Sequence, residues 1–82
     1  MNTLEQIYEI INEIDEIKGI SLDKNDLLSD NINSLSFIVL LMRVEEKFEI
    51  EINEDDLNYD TFKTLEDIEK YILNRKIHIS ND

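Results

Sequence analysis

The chain has 82 residues, with 20 acidic and 8 basic side chains, a formal net charge of −12 and no cysteine. This length allows one small domain and argues against a deep enzymatic cleft, while the missing cysteines exclude disulfides and thiolate metal sites. The charge disfavours nucleic acid and favours basic protein partners, although acidity of this kind also serves solubility alone.

The first predicted element is an amphipathic helix that begins at Thr3. Thr3 and Gln6 have the spacing of a capping box at its start. Gly19, the only glycine, is predicted to end this helix or the turn beyond it. The apolar residues that recur at helical spacing are Leu4, Ile7, Tyr8, Ile11 and Ile14.

Residues 20–33 show no sustained hydrophobic period and are rich in Asp, Asn and Ser. This composition predicts a long connecting loop between the first two main helices. Three leucines interrupt the polar run, and we expect them to pin the loop onto the helices rather than form a strand: Leu22, Leu27 and Leu28.

Ser34 stands at the start of a second helix that is predicted from Leu35 to Phe48, without glycine or proline. The first backbone amides of this helix and its dipole favour an anion close to the serine hydroxyl. At about 100° per residue, one arc of the helix forms a core face. Its members are Phe37, Leu40, Leu41, Val44 and Phe48.

The opposite side of the second helix is also apolar, and it ends in the acids Glu45 and Glu46. A small bundle cannot bury both faces, so this side is predicted to stay partly exposed as a docking surface. The alternative is that the loop 20–33 covers it. The apolar residues of this side are Leu35, Ile38, Val39 and Met42.

Residues 49–52 alternate like a strand but have no second strand to pair with, so we expect an extended connection whose isoleucines point inward. Asn53 is predicted to cap a short helix through Leu57.

Thr64 is predicted to cap the last helix, with Glu66 and Asp67 in its first turn. Residues 77–82 are predicted to be a frayed tail in which His78 is exposed to solvent. The elements together predict an all-α domain at 1–76, a small four-helix bundle of three main helices and one short helix with a long loop between helices one and two. The residues expected to bury the last helix are Leu65, Ile68, Tyr71 and Ile72.

This order of elements resembles the acyl carrier protein family, including peptidyl carrier domains. The signature of that family is an Asp-Ser-Leu triplet, and the corresponding triplet here is Asn33-Ser34-Leu35. Residues 44–52 are similar to the family's acidic helix end and following connection, and residues 64–72 resemble its last helix. The resemblance covers residues 3 to 73.

The resemblance implies that Ser34 receives a 4′-phosphopantetheine arm from coenzyme A, with release of 3′,5′-ADP, through a phosphopantetheinyl transferase. The arm would carry an acyl or aminoacyl thioester between loading and condensing enzymes, so the chain would be a monomeric carrier and not an enzyme. Asn33 and Leu35 would flank the attachment site. The residues that would contact partner enzymes are Leu35, Ile38, Val39, Met42, Glu45, Glu46 and Glu49.

The chain departs from the family pattern at two positions beside the serine. Asn33 replaces the usual aspartate, and Asn31 stands where the family often has glycine. Asparagine keeps a capping oxygen and tolerates a left-handed backbone, so the turn can survive both changes. If the transferase relies on the lost carboxylate, modification will be slower or need a dedicated transferase.

The cargo remains open among fatty acyl, polyketide, aminoacyl and D-alanyl groups. Val39 stands where a carboxylate could sit in a carrier for fatty-acid synthesis, and this favours a freestanding carrier for a specialised or peptide-assembly pathway. The alternative function is an acidic helical interaction module that binds a basic partner without any prosthetic group. Ser34→Ala separates the two, because only a carrier loses its loading.

A specific metal site is not expected, although four residues approach the spacing of a calcium loop. Thr61 stands in place of the required glycine, and the final position lacks the long glutamate. Weak divalent-ion binding to the acidic residues between 45 and 60 is the more plausible behaviour. Without a long apolar run or a signal-peptide pattern, we expect a cytoplasmic protein that does not insert into membranes. The residues at calcium-loop spacing are Asp56, Asn58, Asp60 and Asp67.

Overall fold

The computed structural model describes residues 2–80, with side chains through residue 75. These residues form helices and no β-strand, which confirms the predicted all-α fold. Helix α1 packs against both α3 and α4. Within the described range, no helix has the length and apolar character needed to cross a membrane. The helices are α1 (Thr3–Glu13), α2 (Leu28–Asn31), α3 (Ser34–Phe48), a 3₁₀ helix (Glu54–Asp56) and α4 (Leu65–Ser80).

Helix α1 begins at Thr3, and its N-cap is Asn2, one residue before the predicted cap. The Asn2 side-chain oxygen accepts a hydrogen bond from Glu5 N at 2.8 Å, and Asn2 Nδ2 donates to Glu5 Oε1 at 3.0 Å. The predicted Thr3–Gln6 capping box is therefore wrong, because asparagine caps helices as well as threonine, and the Asn2 and Glu5 side chains bond each other at the helix start. Gly19 ends the turn after the helix with φ of +80°.

The long connection between α1 and α3 is ordered by contacts at both ends, and it contains the one-turn helix α2. The Tyr8 hydroxyl donates to Leu22 O at 2.8 Å, and Leu28 N donates to Lys63 O at 2.8 Å. Burial raises the pKa of Tyr8, and the nearby carboxylates add to this shift. Helix α2 was not predicted, because four residues are too few to show a helical period.

Two of the three loop leucines are buried as predicted, and the third is not. Leu22 and Leu28 belong to the core, whereas the Leu27 side chain is 48% exposed. Leu27 occupies the N-cap position of α2, directly before the leucine that faces the core. Adjacent residues at a helix start point in different directions, so the prediction for Leu27 was wrong.

The core draws on all parts of the chain from α1 to α4. The predicted core face of α3 is confirmed, since all five of its members are buried. The isoleucines of the extended connection, Ile50 and Ile52, are buried as predicted. Ser36, which the sequence did not single out, is buried at the start of α3.

The predicted cap of α4 is confirmed. Thr64 Oγ1 accepts from Asp67 N at 3.2 Å, and Asp67 Oδ2 accepts from Thr64 N at 3.3 Å, so the two residues cap the helix start reciprocally. Asn53 stands at the N-cap position of the 3₁₀ helix but makes no side-chain capping bond, contrary to prediction. The nearby turn is instead organised by Asn58, whose Oδ1 accepts from Thr61 N at 2.8 Å.

Helix α4 continues to Ser80, beyond the predicted domain limit at residue 76. The division into a domain at 1–76 and a frayed tail at 77–82 stays a prediction. The His78 side chain and residues 81–82, on which part of that prediction falls, lie outside the described residues.

Candidate functional site

The start of α3 is capped by Asn33. This residue has an extended backbone, with φ of −72° and ψ of 165°, and its side-chain oxygen accepts from Ser36 N at 2.9 Å. Asn33 O also accepts from Phe37 N at 2.9 Å, the first bond of the helix. The prediction that asparagine keeps the capping oxygen is confirmed, and Ser34 becomes the first helical residue rather than the cap.

Asn31, which stands where the resembling family often has glycine, does not need a glycine-like backbone here. It is the last residue of α2 and has no positive φ. Its Nδ2 donates to Leu27 O at 2.7 Å. The side chain therefore spans the single turn of α2, from its last residue back to its N-cap.

The Ser34 side chain is exposed and makes no hydrogen bond to any part of the chain that the structure describes. The backbone amides of Ser34 and Leu35 lie in the first turn of α3, where a helix offers them no acceptor. The accessible Ser34 hydroxyl therefore lies next to two backbone N–H groups that have no acceptor within the helix. Helix α3 has 15 residues, and its N-terminus is the positive end of the helix dipole. This donor set suits an oxygen-linked phosphodiester.

The exposed side of α3 begins next to Ser34 and continues toward the C-terminal end of the helix. Leu35 is 76% and Met42 is 56% exposed, so neither the loop 20–33 nor another described segment covers them. Ile38 and Val39 are half-buried and pack against the core from the same side. We call these four residues the docking face, and its exposure agrees with the prediction for this side of the helix.

Charged residues line the far half of the docking face. An open groove there is lined by Val39, Met42, Arg43 and Glu46. Glu46 and Glu49 are exposed, and Glu49 ends α3 in the left-handed region with φ of 54°. The acids at this end therefore remain accessible, with Arg43 as an exposed cation among them.

Glu45 differs from the other acids because it has a structural contact. Its Oε2 accepts from Ile52 N at 2.8 Å, and the side chain is half-buried. This bond joins the extended connection to the last turns of α3. Sequence reasoning assigned Glu45 to partner contact and missed this bond, because a side chain that accepts from a backbone seven residues away leaves no periodic signal.

Tyr59 is a second residue that sequence reasoning missed. Its hydroxyl donates to Ile32 O at 2.5 Å, and its ring centroid lies 4.3 Å from that of Phe37. The two contacts lie on either side of Ser34 in the chain. No local pattern reveals them, since Ile32 and Tyr59 are 27 residues apart.

Two of the four residues at calcium-loop spacing, Asn58 and Asp67, hold a turn and a helix cap with their side chains. Asp67 Oδ2 accepts from the amides of Lys63 and Thr64, and Asn58 accepts from Thr61 N. Among the described residues, no group of three or more His, Cys, Asp or Glu side chains is placed to hold a metal ion.

A family model described as the phosphopantetheine attachment site matches residues 5–72. Neither a curated protein nor a solved structure matches the chain. The family match spans most of the chain, from α1 to the buried part of α4, and includes the exposed serine. Proteins of this family carry 4′-phosphopantetheine and are carriers rather than enzymes, as the sequence predicted. The chain therefore belongs to the phosphopantetheine attachment site family, that of the acyl and peptidyl carrier proteins.

Proposed function

We propose that Ser34 is the residue that bears the 4′-phosphopantetheine arm, and that the chain carries acyl or aminoacyl groups between partner enzymes. One observation carries this assignment. Asn33 takes over the capping of α3, which leaves the Ser34 hydroxyl exposed and without a hydrogen bond within the described residues. A serine that only capped the helix would have its oxygen engaged with the amides of the first turn.

The chain supplies one reacting atom to the attachment step. Ser34 Oγ attacks the pyrophosphate of coenzyme A, a new oxygen–phosphorus bond forms, 3′,5′-ADP leaves, and the transferase accepts the serine proton. The amides of Ser34 and Leu35 then stabilise the phosphodiester charge. When attached, the arm supplies a terminal thiol that holds the cargo as a thioester, since the chain has no cysteine of its own.

We propose the docking face as the surface that the phosphopantetheinyl transferase and the loading and condensing enzymes share. Leu35 and Met42 offer exposed apolar contact beside the attachment site. Glu46 and Glu49, with the remaining oxygen of Glu45, face basic side chains of the partner. A small apolar patch with exposed charges gives a weak interface, as repeated handover between enzymes requires.

The pathway proposal follows from the apolar character of the docking face. Val39 occupies the middle of this face and offers no charge to a partner. We favour a freestanding carrier for specialised or peptide-assembly metabolism, acting as a cytoplasmic monomer with its carrier unit at residues 1–76. The alternative of an interaction module without a prosthetic group has the family match against it.

Intact mass tests the assignment directly. The apo-protein is incubated with coenzyme A, magnesium and a broad-specificity phosphopantetheinyl transferase. We expect a gain of one phosphopantetheine in the wild type, none in Ser34→Ala, and an unchanged gain in Ser36→Ala, because Ser36 is buried on the same turn.

Either of two results would contradict the proposal. Modification of Ser34→Ala would move the attachment site to another residue. If the wild type stays unmodified with this enzyme and with transferases from the source organism, the interaction module replaces the carrier.

A further inference from the structure

We propose that Tyr59 is a positioning residue for the modification of Ser34. Tyr59 would hold Ile32 and Asn33, the turn before the serine, in the conformation that the transferase binds. It would not touch the reacting atoms itself. This inference rests on the proposed role of Ser34, and it adds a contribution from the segment between α3 and α4 to the recognition of the site.

Tyr59 contacts residues on both sides of Ser34 in the chain. The Tyr59 hydroxyl donates to Ile32 O at 2.5 Å, two residues before Ser34. The Tyr59 ring lies against Phe37, three residues after Ser34, with a centroid distance of 4.3 Å and an angle of 30° between the planes. Phe37 is itself buried, so the tyrosine links the turn to the core.

The turn before the serine depends on such a long-range contact. Only Ile32 and Asn33 join α2 to α3, and Ile32 has an extended backbone with φ of −132° and ψ of 132°. The Ile32 N–H donates to Leu28 O at 2.8 Å, which ties the residue to α2. The Ile32 carbonyl accepts from the Tyr59 hydroxyl, so the two backbone polar groups of Ile32 connect α2 with the segment between the 3₁₀ helix and α4.

Loss of the Tyr59 hydroxyl would free the Ile32 carbonyl and let the turn populate other conformations. A transferase that binds only one of them sees a smaller competent fraction of the carrier, and its apparent affinity falls by that fraction. Once the serine is bound, the chemistry is unchanged, because the Tyr59 hydroxyl bonds Ile32 O and makes no hydrogen bond to Ser34 Oγ. The signature is therefore a higher KM for the carrier with an unchanged kcat.

The test compares two tyrosines that lose the same atom. Tyr59→Phe removes the bond to Ile32 O and keeps the ring against Phe37. Tyr71→Phe removes the hydroxyl that accepts from Arg75 Nη2 at 2.7 Å and keeps the ring edge-on to Phe62 at 5.0 Å. We expect KM for Tyr59→Phe to rise about fivefold, the equivalent of one ordinary hydrogen bond, with kcat and the values for Tyr71→Phe unchanged.

Amide hydrogen exchange provides a readout that does not depend on modification. In Tyr59→Phe, the hydrogen-bonded amides of Ile32, Ser36 and Phe37 should exchange faster than in the wild type, whereas Tyr71→Phe should leave them unchanged. Equal KM values for the two variants, or a fall in kcat without a rise in KM, would overturn the inference. If the wild type itself is not modified, the proposed function fails instead, and unchanged exchange in Tyr59→Phe would then reject the contact's role in ordering the turn.

Discussion

The two faces of α3 use similar residues for opposite purposes. Leu40 and Leu41 are fully buried, while Leu35, on the same helix, is 76% exposed. The two serines of the first turn divide in the same way, with Ser34 exposed and Ser36 buried. The side chains alone do not separate these roles; their angular position around the helix does.

The division between the two faces allows a small carrier to combine stability with recognition. The buried face anchors α3 against α1 and the rest of the core, and this anchoring sets the orientation of the exposed face. Substitutions on the buried face should therefore change the free energy of unfolding. Substitutions on the exposed face should change reactions with partners at nearly constant stability.

The largest expected effect on stability belongs to Leu40→Ala. Leu40 has no exposed surface, so the substitution loses its burial and leaves a cavity, at a cost of about 2–5 kcal/mol. Urea denaturation followed by circular dichroism measures this change. A loss below about 1 kcal/mol would show that the core collapses around the smaller side chain. The buried face would then contribute less to the free energy of unfolding than its burial suggests.

A matched pair of glutamates should give the next effect. Glu45→Ala removes the acceptor of Ile52 N and should cost about 1 kcal/mol, whereas Glu46→Ala, at an exposed position, should stay within about 0.5 kcal/mol. The same denaturation experiment measures both. Equal losses of unfolding free energy in the two variants would mean that the Glu45 bond does not hold the connection to α3. Glu45 would then contribute no more to stability than the exposed Glu46.

The smallest effect on stability is expected for Leu35→Ala. Leu35 is largely exposed and alanine favours a helix, so the free energy of unfolding should change by less than about 0.5 kcal/mol. The rate of Ser34 modification at low carrier concentration should nevertheless fall, by about fivefold for an apolar contact of about 1 kcal/mol. Unchanged modification would remove Leu35 from the docking face, and a large loss of stability would contradict the separation of the two faces.

Local patterns were sufficient to predict much of the fold. The period of α3 predicted both of its faces, and the spacing of Thr64 and Asp67 marked the start of α4. Alternation predicted that Ile50 and Ile52 are buried. These signals succeed because helical and extended periods depend on neighbours within a few residues.

Other features could not be predicted, because several local solutions were nearly equivalent. Asn2 competed with Thr3 for the cap of α1, and either residue can accept the bond. Leu27 and Leu28 are the same residue type, and only the one-turn helix α2 assigned one to the surface and the other to the core.

Residues close together in the chain were enough to specify the helical class, the two-sided character of α3, the position of Ser34 at its start and the capping oxygen of Asn33. Tertiary packing was needed to bring Glu45 to Ile52 N and Tyr59 to Ile32 O. These two contacts span 7 and 27 residues of the chain, beyond the reach of a local period. Their partners are selected when the core packs, because burial brings those groups together and they then require hydrogen bonds.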